Sequence, residues 1–432
     1  MPARRSAVRA TLLATAVWLA PQAVPGESAP LRAFVHARIF DGSGRVLDNA
    51  SLIVRDGRIV GVGSVAAPEG SVLIDLAGGF VMPGLVSAHG HVGATKGLKS
   101  GPELYSRQNV LDQLGLYARY GVTSVTSLGD DREEGFQVRD EQDVASLKRA
   151  RLHVAGRVVD ATTPEAARDQ VAELAAQKPD WVKIRVDDAL GTTQKMPPEV
   201  YRAVIQEAHR RGLRVAAHLF YLADARDLVD WGVDLIAHSV RDLPIDAAFA
   251  GELARRGVCT CPTLMREVSA FVYADEPAFF SDPFFLKEAD AAVIQELRSP
   301  VRRERARASP ATARYREALQ TAKRNLKTLV DAGAPIAMGT DAGPPARFQG
   351  YFEHEELRLM VEAGLSPTQA LLAATSGAAS CLGLKDVGRL EPGTWADFLV
   401  LGSDPRNDIR NTRSLESVWI AGNRVPPRRP DR

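Results

Sequence analysis

The sequence predicts an α/β fold in which a (β/α)8 TIM barrel is accompanied by a small composite β-sandwich domain. In the middle of the chain, apolar β-branched runs alternate with helix-like stretches eight times, which is typical of a parallel barrel. At each end, short β-rich runs are separated by turn signals, and neither end has enough strands to bury a core alone. We therefore expect residues 32–82 and 388–427 to form one sandwich, with the barrel at residues 83–387 inserted between them.

The composition is that of an ordinary globular protein. The chain has 432 residues, of which 45% are hydrophobic and 25% charged, so a disordered, collagenous or coiled-coil protein is excluded. A net charge of +1 provides no strong field for attracting nucleic acid or an anionic membrane surface. The expected partner is a small molecule, no nucleic-acid partner is expected, and a homo-oligomer is left open.

The first element is a predicted signal peptide over residues 1–26. A basic segment with Arg4, Arg5 and Arg9 precedes an uncharged, mostly apolar run over residues 10–20, and small residues follow. The apolar run is too short to span a bilayer. We expect export to the periplasm or the medium, with no membrane span after leader removal; an N-terminal anchor or an unstructured tail is the alternative.

Short strands are predicted next, and again at the far end. Residues 34–39, 50–55, 59–62 and 72–76 are β-rich and are separated by turns such as Asp56-Gly57; residues 396–401 and 418–425 have the same texture. Antiparallel pairing across such turns predicts the sandwich.

Eight candidate barrel strands lie between these two ends. They occupy residues 86–92, 122–128, 152–158, 181–186, 214–219, 234–240, 258–264 and 335–340. Helices are predicted over residues 163–177, 198–211, 222–231 and 313–332. No Gly-x-Gly-x-x-Gly motif follows the first strand, which disfavours a dinucleotide-binding fold.

Four of the eight histidines fall at or near the carboxyl ends of predicted strands, the active-site face of a barrel. His89 and His91 lie two residues apart on strand one, so their side chains point the same way. His218 ends strand five, His238 ends strand six, and Asp341 follows strand eight. A single histidine on a strand is most often a core residue. Four histidines and an acid at equivalent strand ends are improbable as a coincidence. Together they predict a site for zinc or a similar divalent ion.

Lys183 lies in the middle of strand four, where burial disfavours a charged ammonium group. A neutral lysine amine can add carbon dioxide, and the two oxygens of the resulting carbamate could bridge two metal ions. The alternative is a lysine at a strand edge with its ammonium in water.

The remaining histidines and the cysteines carry weaker expectations. His36, His153 and His209 are interpreted as structural or surface residues, whereas His354 is a candidate for reaching the site. Cys259, Cys261 and Cys381 are expected to be small buried hydrophobic residues without a disulfide framework.

A long segment over residues 265–308 follows strand seven and is rich in phenylalanine. Long loops on this face commonly act as lids, so its aromatic residues suggest an apolar or aromatic substrate group, or packing against a partner subunit. Arg241 and Arg266 lie just past strands six and seven, where either could pair with a substrate carboxylate.

Several motifs together resemble the amidohydrolase superfamily, in its imidazolonepropionase-like and prolidase-like metal-dependent branch. They are Pro83-Gly84-Leu85-Val86-Ser87-Ala88-His89-Gly90-His91, Val182-Lys183-Ile184, His218, His238, Gly339-Thr340-Asp341-Ala342-Gly343 and Gly388-Arg389-Leu390-Glu391-Pro392-Gly393. The resemblance covers nearly all of the chain after the leader.

The resemblance implies a binuclear centre. His89 and His91 would hold the more buried of two divalent ions, expected to be zinc, and His218 and His238 the more exposed one. Carboxylated Lys183 would bridge the ions. Asp341 would complete the first site and act as a proton shuttle while a metal-bridging hydroxide attacks an amide carbonyl.

The sequence also departs from the family pattern. Ala237 stands where related sequences often carry Glu, and Thr126 where they often carry Arg, so the substrate contacts are in doubt. Tyr221, three residues after His218, replaces the Glu of deaminase-like relatives and becomes a candidate substrate contact. The favoured substrate is a dipeptide or an N-acyl amino acid; the alternatives are a mononuclear cyclic-amide or lactone hydrolase and a non-enzymatic scaffold.

Overall fold

The computed structural model describes residues 30–428, so the predicted leader lies outside the described residues. Its strands are β1 Arg32–Phe40, β2 Val46–Arg55, β3 Arg58–Gly63, β4 Val72–Asp75, β5 Phe80–Pro83, β6 Leu85–Gly90, β7 Thr95–Lys96, β8 Lys99–Ser100, β9 Val122–Ser127, β10 Arg151–Val154, β11 Val182–Val186, β12 Val215–Leu219, β13 Leu235–Ala237, β14 Cys259–Cys261, β15 Phe398–Leu401, β16 Leu415–Ile420 and β17 Asn423–Arg424.

The helices fall mainly between and after the parallel strands. They are α1 Arg107–Arg119, α2 Glu133–Asp140, α3 Pro164–Ala176, α4 Pro198–Arg210, α5 Leu222–Asp230, α6 Ala247–Arg256, α7 Leu264–Ser269, α8 Pro283–Leu286, α9 Ala291–Leu297, α10 Pro300–Ala308, α11 Pro310–Asp331, α12 Tyr351–Glu362, α13 Pro367–Ala373 and α14 Ser376–Leu382. The four predicted helices are confirmed as α3, α4, α5 and α11. Among the described helices, none is both long and apolar enough to cross a bilayer.

The two ends of the chain share one sheet. Its strand order is β17-β16-β15-β5-β1-β2-β3, and β4 pairs with β1. The ring of Trp419 on β16 lies 4.7 Å from that of Phe34 on β1, although these strands are three positions apart. A flat sheet would separate them by about 14 Å, so this sheet rolls over its own core. The facing layers expected of a sandwich are therefore parts of one rolled sheet.

The middle of the chain is parallel. One sheet has the order β10-β9-β6 and another the order β11-β12-β13-β14. Single parallel bridges join Val159 to Ile184, Thr260 to Ile336 and Gly90 to Ala342. Followed from β6, the pairing passes through both sheets and returns to β6. The fold is thus α/β, with parallel strands paired in cyclic order.

The eighth predicted strand is the least regular. Residues 335–340 form one bridge, at Ile336, and not a ladder, although Ala88 N–H still donates to Met338 O at 2.7 Å. A Cβ atom on Gly339 would lie 2.6 Å from both His89 N and Cys261 Sγ, so only glycine allows this approach. The close approach brings the segment that precedes Asp341 against β6.

The segment after strand seven folds into short helices, α7 to α10, and packs inside the molecule. The rings of Phe285 and Phe348 lie 4.7 Å apart, and those of Phe279 and Phe352 lie 6.0 Å apart. Phe285 also lies 5.0 Å from Tyr351 on α12. Several of the aromatic residues expected in a lid therefore form an intramolecular core against α12.

The expectation for the cysteines is wrong for two of them. Cys259 at the start of β14 and Cys381 in α14 form a disulfide across a sequence separation of 122 residues, while Cys261 is free and buried. Nothing local in the sequence marks this pair, because only tertiary packing brings α14 against the start of β14.

The disulfide can be mapped directly. Under non-reducing digestion we expect a linked peptide pair containing Cys259 and Cys381, with Cys261 as the single alkylated thiol, measured by mass spectrometry. The Cys261→Ala variant is the control and should keep the linked pair. Three alkylated cysteines in unreduced protein isolated from an oxidising compartment would contradict the pairing.

Candidate metal centre

The first group of candidate ligands comes from β6 and from the segment after the eighth parallel position. His91 Nε2 lies 2.9 Å from Asp341 Oδ1, and His89 Nε2 lies 3.5 Å from the same oxygen. One ligand atom from each of these three residues falls within a span of 4.8 Å. They can therefore surround a single cation.

The second group comes from three neighbouring parallel strands. Lys183 on β11 places its Nζ 3.5 Å from His89 Nε2. The ring of His238 lies 4.8 Å from that of His89 and 4.4 Å from that of His218. The structure thus brings all six predicted ligands into one cluster.

Burial sets the protonation states of the histidines and the lysine. It lowers the pKa of Lys183 to about 7 and that of His218 to about 3. It also holds the pKa values of His89 and His238 well below the ordinary histidine value. Each of these groups therefore presents a nitrogen lone pair far more readily than it would in water.

Asp341 stays ionised against the effect of burial. Burial alone would raise the pKa of its carboxyl group, but the Arg347 guanidinium, together with His91 and His89, holds that pKa well below its usual range. Neutral imidazoles and a carboxylate are the forms that bind metals. In addition, His89 Nδ1 is buried without a hydrogen-bond partner among the described residues. The donor set fits a divalent ion.

Small residues allow Asp341 to occupy its position. Asp341 has a φ of 57°, in the left-handed region, and Gly343 follows with a φ of 120°. A Cβ atom on Gly343 would lie 2.1 Å from His91 O, which is too short for any non-bonded contact, so only glycine fits here. The glycine therefore allows the loop to pass directly beside His91.

A buried carboxyl group on α12 connects the two strands that carry the first group. Glu353 accepts hydrogen bonds from Ser87 Oγ at 3.0 Å and from Thr340 Oγ1 at 2.9 Å. Ser87 lies two residues before His89, and Thr340 directly precedes Asp341. Sequence reasoning missed Glu353, since an acid within a helix gives no local sign of facing inward.

Sequence reasoning also missed Asp187 and Thr263, which contact two of the candidate ligands. Asp187 Oδ2 lies 2.7 Å from His218 Nε2, and Thr263 Oγ1 lies 2.7 Å from His238 Nδ1. Burial raises the pKa of the Asp187 carboxyl group, but the His218 hydrogen bond and nearby charges outweigh it and leave that pKa lowered. The acidic pair Asp187-Asp188 directly after a strand was the available sequence signal.

The cluster opens into a cavity of about 360 Å³. Besides the six candidate ligands, its charged lining residues are Asp130, Arg185, Asp187, Arg266 and Arg347. None of the phenylalanines of the 265–308 segment lines it. The interpretation of that segment as an aromatic substrate lid is therefore not supported, and charged and apolar side chains share the lining of the cavity.

Of the four predicted substrate contacts, only Arg266 lines the cavity. Its Nη1 donates to Glu267 Oε1 at 2.8 Å, and its Nε lies 3.9 Å from Asp341 Oδ2. Arg241 is instead buried beside Glu267, at 2.9 Å, and donates to Leu219 O.

Tyr221 and His354 have other partners. The Tyr221 hydroxyl donates to Asp188 Oδ1 at 2.8 Å, outside the cavity. His354 Nε2 donates to Tyr120 O at 2.7 Å, and its Nδ1 lies 2.9 Å from Thr412 Oγ1. His354 thus connects α12 to two distant segments, a packing role that its sequence neighbours could not reveal.

The sequence matches the model of a known protein family. Residues 80–425 match the model described as the amidohydrolase family. The chain belongs to the amidohydrolase family, in its imidazolonepropionase-like and prolidase-like branch. Among curated relatives, it is similar to an imidazolonepropionase of Deinococcus deserti, 29% identical over 393 residues that cover 88% of this chain and 92% of the relative.

Solved structures show the same fold. One, from Bifidobacterium longum and provisionally assigned as a prolidase, aligns with this amidohydrolase at 26% identity and a TM-score of 0.72, covering 93% of this chain and 97% of the other. Another is a Xaa-Pro dipeptidase with methionine bound in its active site, at 21% identity and a TM-score of 0.71, covering 91% and 99%. The protein therefore shares its fold with these structures, and its membership of the amidohydrolase family makes it a hydrolase.

The buried His354 should make the stability of this amidohydrolase sensitive to acid. Burial lowers the pKa of His354 to about 4 from an unfolded value of 6.5. Below pH 6.5 the unfolded chain binds a proton that the folded chain refuses, so stability falls as the pH drops towards 4. At about 1.4 kcal/mol per unit, the loss is on the order of 3 kcal/mol.

We expect His354→Gln to reduce this loss, measured as the difference in thermal midpoint between pH 7 and pH 4.5. The exposed histidine variant His209→Gln is the matched control and should follow the unmodified protein. Equal acid sensitivity in all three proteins would show that His354 does not cause this loss of stability.

Proposed function

We propose that this amidohydrolase is a (β/α)8-barrel enzyme that cleaves the amide bond of a dipeptide or an N-acyl amino acid. The cyclic pairing of the parallel strands supports the barrel. The observation that carries the function is the convergence of four imidazoles, a carboxylate and a desolvated lysine on one charged cavity. Burying these polar groups together beside a cavity costs desolvation free energy, and metal binding would offset that cost.

The site is proposed to hold two divalent ions, expected to be zinc. His89, His91 and Asp341 would hold one ion, and His218 and His238 the other. Lys183 would bridge them as a carbamate, formed when its neutral amine adds carbon dioxide and releases a proton. Bound divalent ions would supply Lewis acidity, polarising a carbonyl group and lowering the pKa of water.

The chain's own residues would position the substrate and move the proton. Asp341 is ionised, so its carboxylate can accept a proton from the attacking water and donate it to the leaving nitrogen. The Arg347 guanidinium contacts Asp341 Oδ2 directly and keeps that carboxylate oriented. Arg266, on the same side, adds positive charge to the cavity wall.

One observation favours a second candidate, a mononuclear cyclic-amide or lactone hydrolase. His89, His91 and Asp341 already form a compact three-ligand group, sufficient for one ion. The relative from Deinococcus deserti is named as an imidazolonepropionase. In that case Lys183 would remain a free amine.

We also propose that the protein is exported. The Cys259–Cys381 disulfide supports an oxidising compartment, since such bonds are rare in the cytosol. The intact mass of the protein recovered outside the cytoplasm tests leader removal, and a retained residue 1 would count against it.

The function is tested with zinc-loaded protein and a panel of dipeptides, N-acyl amino acids, cyclic amides and lactones. We expect hydrolysis of linear amides, which is measured by the release of free amine. Turnover of cyclic amides or lactones alone would favour the second candidate. No turnover of any class by fully metallated protein would refute the hydrolase assignments.

Metal content separates one ion from two. We expect about two ions per chain, falling with Lys183→Ala because the bridging group is lost, measured by elemental analysis together with the fraction of folded protein. Lys148→Ala, at an exposed lysine, is the control. One ion per chain, unchanged in Lys183→Ala, would refute the carbamate bridge.

A further inference from the structure

Most charged side chains that line the cavity already have a hydrogen-bonding or ionic partner. Arg347 and His91 contact Asp341, and His218 contacts Asp187. These groups are occupied in positioning the metal ligands. Arg266 is likewise paired with Glu267 at 2.8 Å.

Outside the six candidate ligands, two charged lining side chains have no such partner among the described residues, and the first is Arg185. It lies on β11 two residues after Lys183, so its side chain leaves the strand on the same side as the lysine. In the parallel register it pairs with His218 of β12. Arg185 is exposed and has no hydrogen bond or ion pair within residues 30–428.

The second is Asp130. It follows Gly129, where an added Cβ atom would lie 3.9 Å from both His91 Cε1 and Lys183 Cγ. Its φ of 65° turns the chain at this point. Like Arg185 it is exposed, and it forms no hydrogen bond or ion pair with any residue that the structure describes.

Among the described residues, Arg185 and Asp130 are therefore a cation and an anion on the cavity wall that have no partner and are not paired with each other. Asp130 follows the end of β9 and Arg185 lies near the end of β11, and β10 lies between these two strands in the order of pairing. A ligand with one carboxylate and one ammonium group could engage both, whereas a ligand with one charge would leave the other side chain without a partner.

We propose that Arg185 binds the α-carboxylate and Asp130 the α-ammonium group of a dipeptide with both ends free. This inference rests on the proposed amide hydrolysis and narrows it, because an N-acyl amino acid carries only the carboxylate. The guanidinium fork of Arg185 matches a carboxylate with two parallel hydrogen bonds. Selectivity arises because a substrate lacking either charge loses a charge-assisted contact.

Three compounds with the same C-terminal residue isolate the two charges. With leucine as the default residue, they are glycyl-leucine, acetyl-leucine, which lacks only the amino group, and glycyl-leucine amide, which lacks only the carboxylate charge. We expect kcat/KM for glycyl-leucine to exceed that for each of the others by roughly 10- to 100-fold.

Two variants assign each preference to its residue. Arg185→Gln should lower kcat/KM for glycyl-leucine roughly 10-fold or more and leave that for the amide nearly unchanged. Asp130→Asn, which keeps a residue tolerant of left-handed backbone, should reduce the preference for glycyl- over acetyl-leucine. Arg305→Gln and Asp169→Asn change exposed charges outside the cavity and are the matched controls.

Equal effects of Arg185→Gln on glycyl-leucine and its amide would overturn the role of Arg185. An undiminished glycyl-over-acetyl preference in Asp130→Asn, or no such preference in the unmodified protein, would overturn that of Asp130. If the metal-loaded protein hydrolyses none of the three, calorimetric binding of the same compounds decides. A charge-dependent order of binding would support the pair while the hydrolase proposal failed, and equal or absent binding would overturn the pair.

Discussion

The removal of water from the ends of the parallel strands is the constraint on which the rest of the site depends. His89, His238 and Lys183 are almost fully buried, and the loss of hydration of their charged forms outweighs the attraction of Asp341 for His89 and Lys183. Burial thereby converts three ordinarily basic side chains into lone-pair donors. Asp341 would be driven in the same direction, towards its neutral form, without the Arg347 guanidinium against it. The cluster is poised for metal binding because the charge of Arg347 outweighs the effect of burial on its acid, whereas the carboxylates near its buried bases do not outweigh that effect on them.

The positions of these groups depend on packing some distance from them. Glu353 connects the hydroxyl groups of Ser87 and Thr340, and Glu353 is itself held on α12. The face of α12 packs against the aromatic residues of the 265–308 segment, and the Tyr351 hydroxyl donates to Asp282 Oδ2 at 2.8 Å. The aromatic segment thus affects the metal centre by stabilising a helix, although it does not line the cavity.

The rolled sheet is joined to the parallel strands by a similar polar contact. Arg151 at the start of β10 donates to Asp397 just before β15, at 2.8 Å, with both side chains buried. The guanidinium groups of Arg151 and Arg58 lie over the ring of Trp395, at 4.1 Å and 3.7 Å. Removing Arg151 would leave the Asp397 carboxylate buried without its ionic partner, so these contacts specify how the two parts fit together.

The sequence by itself determined the periodicity of the elements and the ligand types. Side-chain alternation along a strand made the shared direction of His89 and His91 readable, and the strand-end positions of His218 and His238 followed from the βα rhythm. Those inferences depend on local geometry, which neighbouring residues specify. Arg241 and His354 had similar local settings, yet one lies beside Glu267 and the other between Tyr120 and Thr412.

Only the tertiary structure decided contacts between residues far apart in the chain. Cys259 meets Cys381, Glu353 meets Ser87, and Trp419 meets Phe34 because helices and strands pack, and packing leaves no periodic signal in sequence. The same holds for Arg185 and Asp130. Their types were visible from the start, but whether a charge is free depends on every other charge around the cavity, and that requires all the strands to be in place.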